Sequence, residues 1–307
     1  MNITGLQRRD FLYGLGSSLG ALAMTDLLAK ESAGPLAPKK PMHAPRAKAV
    51  IMLFMEGGPS QVDTFDPKPK LADMHLQKFK RSSKFLSAMG SGERYYVQSP
   101  FKFRKAGQSG LDLCEHWEHL AGVADELCVY RGCQAESINH PTANYHMNTG
   151  NRFGGDPAIG SWVTYGLGSE NQDLPGYVVL ISSGTEPNGG KNSFSAGFIP
   201  SVYQGVQCRS KGDPALYVSN PKGMRRELRR KSLDALNDLN RLQAKELGSP
   251  ETITRIAQYE MAFRMQASVP EVMDISKEPK HILDAYGAKP GAGSLANNCL
   301  LYTTPSP

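Results

Sequence analysis

The chain reads as an α/β protein whose core is a mainly parallel sheet flanked by helices. Three observations predict this. Apolar runs of strand length recur at residues 49–55, 127–131 and 177–181, each closed by turn residues. Helical spacings lie between and after those runs. The 31 glycines and 21 prolines among 307 residues require many loops between short elements, which excludes a coiled coil or a plain helical bundle.

Composition narrows the function classes. Hydrophobic residues make up 40% and charged residues 21%, enough for a sizeable core. The net charge is +6, but the first 48 residues carry seven cations against three carboxylates, so the remaining body is only weakly basic. That body is poor material for a nucleic-acid binder. No apolar run of spanning length occurs beyond the N-terminus, so no membrane span is expected past that segment.

Residues 1–34 read as a twin-arginine export signal. Arg8-Arg9-Asp10-Phe11-Leu12 lead into the apolar run Tyr13 to Ala29, broken by Gly14, Gly16, Gly20 and Asp26. The expected location is periplasmic or secreted, or membrane-tethered where the signal stays uncleaved. Residues 35–48, with Pro35, Pro38, Pro41 and Pro45 among Lys and Ala, read as a linker. Residues 49–301 form the main domain. Ala49-Val50-Ile51-Met52-Leu53-Phe54-Met55 gives seven apolar residues in a row, a strand buried on both faces.

Residues 66–110 read as loops with a short helix. Cys114 to Ala124 follows a helical pattern with Trp117, Leu120 and Ala124 on one stripe, then Leu127–Arg131 makes a second strand. Ala158 to Leu167 predicts a helix and Tyr177–Ile181 a third buried strand. A helical segment spans about residues 222–268. Leu228, Leu233, Leu236, Leu239 and Leu242 form the apolar side of its first helix, and Pro250 opens its second, where Met261 and Met265 serve as core filler. Five cysteines (114, 128, 133, 208 and 299) lack a second C-x-x-C-like pair, which argues against a zinc ribbon. A disulfide among Cys114, Cys128 and Cys133 and a set of buried free thiols both remain open.

Two polar clusters carry the chemistry. The first, Glu56-Gly57-Gly58-Pro59-Ser60-Gln61-Val62-Asp63-Thr64-Phe65-Asp66-Pro67-Lys68, falls beyond a predicted strand, where α/β proteins place their ligands. Its carboxylates Glu56, Asp63 and Asp66 suit a divalent metal, and equally suit simple turn and cap duties. The second, Ser137 to Gly150, follows the 127–131 run. It holds His140 at a loop–helix junction and His146 six residues on, so only one of the two faces a common site.

The arginine-pair leader, the G-G-P-S-Q-x-D-T-F-D-P-K-P stretch (57–69), the N-H-x-x-A…M-N-T-G stretch (139–150) and the R-R…Y-E-M-A-F-x-M-Q-x-S-V-P-E stretch ending at Glu271 together resemble the domain of unknown function 1501 family, exported and sulfatase-like. The resemblance runs from residue 5 to about residue 300. It implies an alkaline-phosphatase-like core in which a divalent metal (Zn, Ca or Mg) supports hydrolysis of sulfate or phosphate esters. The implied roles are Glu56 and Asp63 as metal ligands, His140 as ligand or general acid, and Ser60 or Lys68 as the anion contact. The sulfatase nucleophile position, nine residues before Thr149, is His140, so no formylglycine forms there. Ser60, Thr64 and Thr142 stand as the remaining nucleophile candidates.

Two readings follow. One is a metal-dependent ester hydrolase acting on sulfated or phosphorylated small molecules or polysaccharide. The other is a non-catalytic exported binding protein on the same fold, with a polysaccharide or cell-envelope partner. Residues 302–307, Tyr-Thr-Thr-Pro-Ser-Pro, lack helical period and core residues and read as a non-native tail. The domain is therefore expected to be incomplete at its C-terminus, with later metal ligands missing.

Overall fold

The computed structural model describes residues 34–79, 93–137, 139–182, 186–209, 215, 219–247 and 250–303. The arginine pair, the run Tyr13 to Ala29 and residues 304–307 lie outside these. The chain forms two compact units, one of Ala49–Phe153 and one of Met1–Lys48 with Gly154–Pro307. The described residues are mixed α/β with eight helices and only small sheets, so the α/β class holds while an extended parallel sheet does not.

In the 49–153 unit the elements are α1 (Lys70–Asp73), β1 (Phe103–Ala106), β2 (Leu111–Cys114), α2 (Glu118–Ala121) and α3 (His140–Thr149). β1 and β2 pair antiparallel, Phe103 opposite Cys114 and Ala106 opposite Leu111. The connecting turn is held by Asp125, whose carboxylate accepts the backbone N–H groups of Ser109 at 2.8 Å and Gln108 at 3.0 Å. Those two hydrogen bonds pull its pKa below the usual carboxylate value. A small core of Ala106, Leu113 and Ala124 lies under this hairpin, with Phe65, Trp117 and Leu120 packed against it. The stripe expected at Trp117, Leu120 and Ala124 thus exists, although the helix carrying it shrinks to one α-turn and a 3₁₀ turn, Ala124–Glu126.

Two expected strands in this unit are corrected. Residues 49–55 are irregular, with Val50 76%, Leu53 66% and Met55 54% exposed, and residues 127–131 are a loop. A strand buried on both faces needs a neighbour on each edge and a layer on each side. Among the described residues neither run has a strand partner.

The larger unit holds α4 (Ile159–Leu167), β3 (Val178–Leu180), β4 (Val206–Cys208), α5 (Arg226–Leu247), α6 (Pro250–Val272), α7 (Lys280–Tyr286) and α8 (Leu295–Thr303). β3 is the expected 177–181 strand, and it pairs parallel to β4, Val178 opposite Val206. Against this pair pack Met261, Met265 and Val269 of α6, all buried. Each such side chain contributes roughly 1.5–3 kcal/mol by leaving water. The linker is not wholly structureless, because Leu36 inserts into two of the hydrophobic clusters.

α5 differs from expectation in its orientation. Leu233 is buried, while Leu228, Leu236, Leu239 and Leu242 are about half exposed or more. The inward stripe is instead Leu233, Asn237 and Asn240. The reason is polar: Glu260 on α6 takes a two-pronged hydrogen bond from Arg230, at 2.7 and 2.9 Å, and a further one from the Asn237 amide at 2.5 Å. That charged node fixes which side of α5 faces α6. α8 opens on Ser294, whose Oγ accepts the Asn297 N–H at 3.1 Å, and it continues through Tyr302 and Thr303.

Candidate functional site

The two polar clusters lie in the 49–153 unit, and their local structure follows from their sequences. Gly57 and Gly58 both have positive φ, 97° and 70°, so the turn after Glu56 demands residues without Cβ. The chain then enters a 3₁₀ turn, Gln61–Asp63. The Ser60 carbonyl accepts from Asp63 N–H at 3.1 Å and from Thr64 Oγ1 at 2.8 Å. The loop is tied to the hairpin by Cys114 N–H on the Thr64 carbonyl, 3.1 Å, and by Phe65 stacked on Trp117 with ring centres 5.4 Å apart.

α3 begins at His140 after the extended Asn139, with Pro141 in its first turn, where a missing N–H costs nothing. It ends at Gly150 in the left-handed region, whose N–H closes on the His146 carbonyl at 2.9 Å. Asn144 and Asn148 form its buried stripe, and His140 stands exposed one turn ahead of them. His146 lies off that stripe and accepts the Glu136 N–H at Nδ1, 3.3 Å. Ser137 and Thr142 share a hydroxyl–hydroxyl hydrogen bond, and Thr142 also donates to the Asn139 carbonyl at 3.1 Å.

A side-chain hydrogen bond joins the clusters. The Asn144 side-chain amide donates to Glu56 Oε1 at 3.3 Å across 88 residues of sequence. Glu56 thus meets the helix that His140 opens, through Asn144. Asn144 stands four residues after His140, one helical turn on, but that spacing does not name Glu56 as its partner. Ser60 is exposed and serves this loop through its backbone carbonyl. Asp63 is half-buried in the 3₁₀ turn.

Lys68 lies beside Asp66, Nζ to Oδ2 at 2.6 Å. Asp66 is mostly buried and also faces Arg131 at 4.0 Å, while Arg131 reaches Asp112 at 3.6 Å and Asp112 pairs with Lys105 at 2.9 Å. The result is an alternating chain of charges, Lys68–Asp66–Arg131–Asp112–Lys105, from the first cluster to the hairpin. Lys68 therefore neutralises Asp66, and Asp66 is screened by two cations rather than presented to a metal. Arg131, read from sequence only as the end of a strand, is the bridge.

The described residues do not by themselves assemble a divalent-metal site. Among the described residues no group of three or more His, Cys, Asp or Glu side chains is placed to hold one. Glu56 meets an amide, and Asp66 meets two cations. The five cysteines are free thiols, with Cys114 and Cys208 buried and Cys128 and Cys133 exposed. The Glu56–Asn144 junction sets an exposed carboxylate beside the amide of a buried asparagine.

No curated protein and no solved structure matches the chain. Residues 47–304 match a family described as "Protein of unknown function (DUF1501)", which takes in both clusters and every described helix and strand. The chain belongs to the DUF1501 family.

Proposed function

We propose that the chain is an exported, sulfatase-like protein that binds rather than cleaves, holding a polysaccharide by its hydroxyls at the Glu56–Asn144 junction. The observation that carries this reading is the 3.3 Å hydrogen bond between those two side chains. A carboxylate and an amide side by side accept from and donate to neighbouring hydroxyls. The test is a binding titration against neutral and sulfated polysaccharides. Glu56→Ala and Asn144→Ala should each weaken binding about tenfold, the scale of one or two lost hydrogen bonds to a charged group. Unchanged affinity in both variants sinks the reading.

The second reading is the metal-dependent hydrolase. The convergence of the two clusters favours it, since the resemblance puts metal ligands at that place. It needs ligands beyond those of the described residues. Release of inorganic sulfate or phosphate from aryl esters, restored to chelated protein by Zn, Ca or Mg and lost in Glu56→Ala, would establish it in place of the first.

A further inference from the structure

The larger unit carries a surface of unusual composition. α4 buries Ser161 and Thr164 and turns its apolar residues outward: Ile159, Trp162, Val163, Tyr165 and Leu167 are all exposed. Phe198, 70% exposed, extends this face, its ring 5.8 Å from that of Trp162. Trp162 also meets Tyr165 edge to face at 5.9 Å, so the rings form one continuous patch. A soluble helix arranges itself the other way round, polar side to water.

The linker lies against the C-terminal end of that helix. Tyr203 Oη donates to the Pro35 carbonyl at 2.8 Å, Ser169 N–H to the Leu36 carbonyl at 3.0 Å, and Lys39 N–H to the Leu167 carbonyl at 2.8 Å. The Lys39 ammonium sits over the Tyr165 and Tyr203 rings, 5.0 and 5.5 Å from their centres. Gly168 permits this close approach: at φ 72° a Cβ there would stand 2.0 Å from the Ala37 carbonyl oxygen. From residue 34 to residue 48 the chain carries Lys39, Lys40, Arg46 and Lys48 and no Asp or Glu, and all four cations are exposed.

Composition decides between occupants. A sugar ring stacks on Trp162 or Phe198 but gains little from Ile159, Val163 and Leu167. Acyl chains take aliphatic side chains, the headgroup level takes Trp and Tyr, and anionic headgroups take the four uncompensated cations. No helix among the described residues is long and apolar enough to cross a membrane. We propose that the α4 face and the basic linker rest together on the headgroup region of an anionic bilayer. The Glu56–Asn144 junction plays no part in this, and a Glu56→Ala variant should bind vesicles as the parent does.

The chain has two tryptophans, Trp117 and Trp162, so the full chain carrying Trp117→Phe reports on this face alone. Phosphatidylglycerol-containing vesicles should shift Trp162 emission to the blue, and brominated lipid should quench it. Pure phosphatidylcholine should do much less. Replacing Lys39, Lys40, Arg46 and Lys48 with Gln should weaken partition roughly fivefold per charge removed, and raised salt should act in the same direction. Should Trp117→Phe fail to fold, the quenching is read on the parent chain against Trp162→Phe, where the vesicle-dependent part should vanish. Three results overturn the proposal. One is co-sedimentation with vesicles while Trp162 emission stays unchanged, which assigns the binding elsewhere. Another is a shift produced by soluble sulfated polysaccharide and not by vesicles. The third is a shift that follows protein concentration alone, which makes this face an interface between copies.

Discussion

At the scale of single residues, backbone strain and long-range partners separate what sequence can and cannot disclose. Leu76 is the one described non-glycine residue with positive φ, at 61°, and its side chain is 65% exposed. A leucine there carries the left-handed penalty of about 1–2 kcal/mol and buries little in return. Leu76→Gly should therefore stabilise the 49–153 unit by about 0.5–1 kcal/mol, even after glycine's greater freedom in the unfolded chain. A urea midpoint that falls on this substitution would refute the argument. No local pattern marks Leu76, because the conformation is imposed by the Leu76 N–H reaching the Tyr96 carbonyl at 2.8 Å. Gly57 and Gly58 are the opposite case, for the residue type itself announced the turn. Glu56 was legible as a polar group after an apolar run. Its partner Asn144 was not, because 88 residues of chain lie between them and spacing carries no information over that distance.

At the scale of elements, helices were read better than their faces. α4, α5 and α6 stand where periodicity placed them, since long periodic segments signal a helix whatever they pack against. α5, however, has two competing stripes, leucines on one and Asn237 with Asn240 on the other. Only the Arg230–Glu260 node shows which one turns inward. The β1–β2 hairpin and β4 escaped because they are three or four residues long. The node also makes the α5–α6 pair acid-sensitive. Hydrogen bonds from Arg230 hold Glu260 below its ordinary pKa of 4.5. A carboxylate depressed in the folded state lends stability above the unfolded value and loses it as pH falls through the folded one. Helical ellipticity should thus melt at lower temperature below pH of about 4, where carboxylates begin to protonate. Glu260→Gln should melt earlier than the parent at neutral pH and close that gap in acid. A gap that persists unchanged into acid would mean that the Glu260 charge contributes nothing.

At the scale of the whole molecule, the α/β class was readable, whereas a broad central sheet was not realised among the described residues, and the division of the 49–301 segment into two units went unread. The run 49–55 explains the difference. Seven apolar residues in a row say that a segment prefers to be covered, but nothing in them names the cover. The same holds for the outward leucines of α5 and the outward face of α4. Surface of this kind exceeds what scattered single residues provide, so the dye 8-anilinonaphthalene-1-sulfonate should brighten with the native chain. Leu236→Glu with Leu239→Glu should dim it while leaving helical ellipticity intact, since both side chains already face water. Dimming accompanied by loss of ellipticity would show that these leucines are structural.

The irregular run from Val50 to Met55 has a further consequence for the chain's fate at high concentration. Six consecutive apolar residues with Val and Ile among them, no proline, no charge and no strand partner among the described residues are the raw material of a steric zipper. Lys48 and Glu56 bracket the run, and charges in such flanking positions act as gatekeepers that make stacked copies repel. Like charges would repeat at every 4.7–4.8 Å layer of a parallel in-register fibril, one column of ammonium groups and one of carboxylates. Lys48→Ala with Glu56→Ala should shorten the lag before thioflavin-positive fibrils appear, and Met52→Lys should abolish them. On this view the carboxylate that faces Asn144 in the folded unit also guards the six residues before it from their own kind.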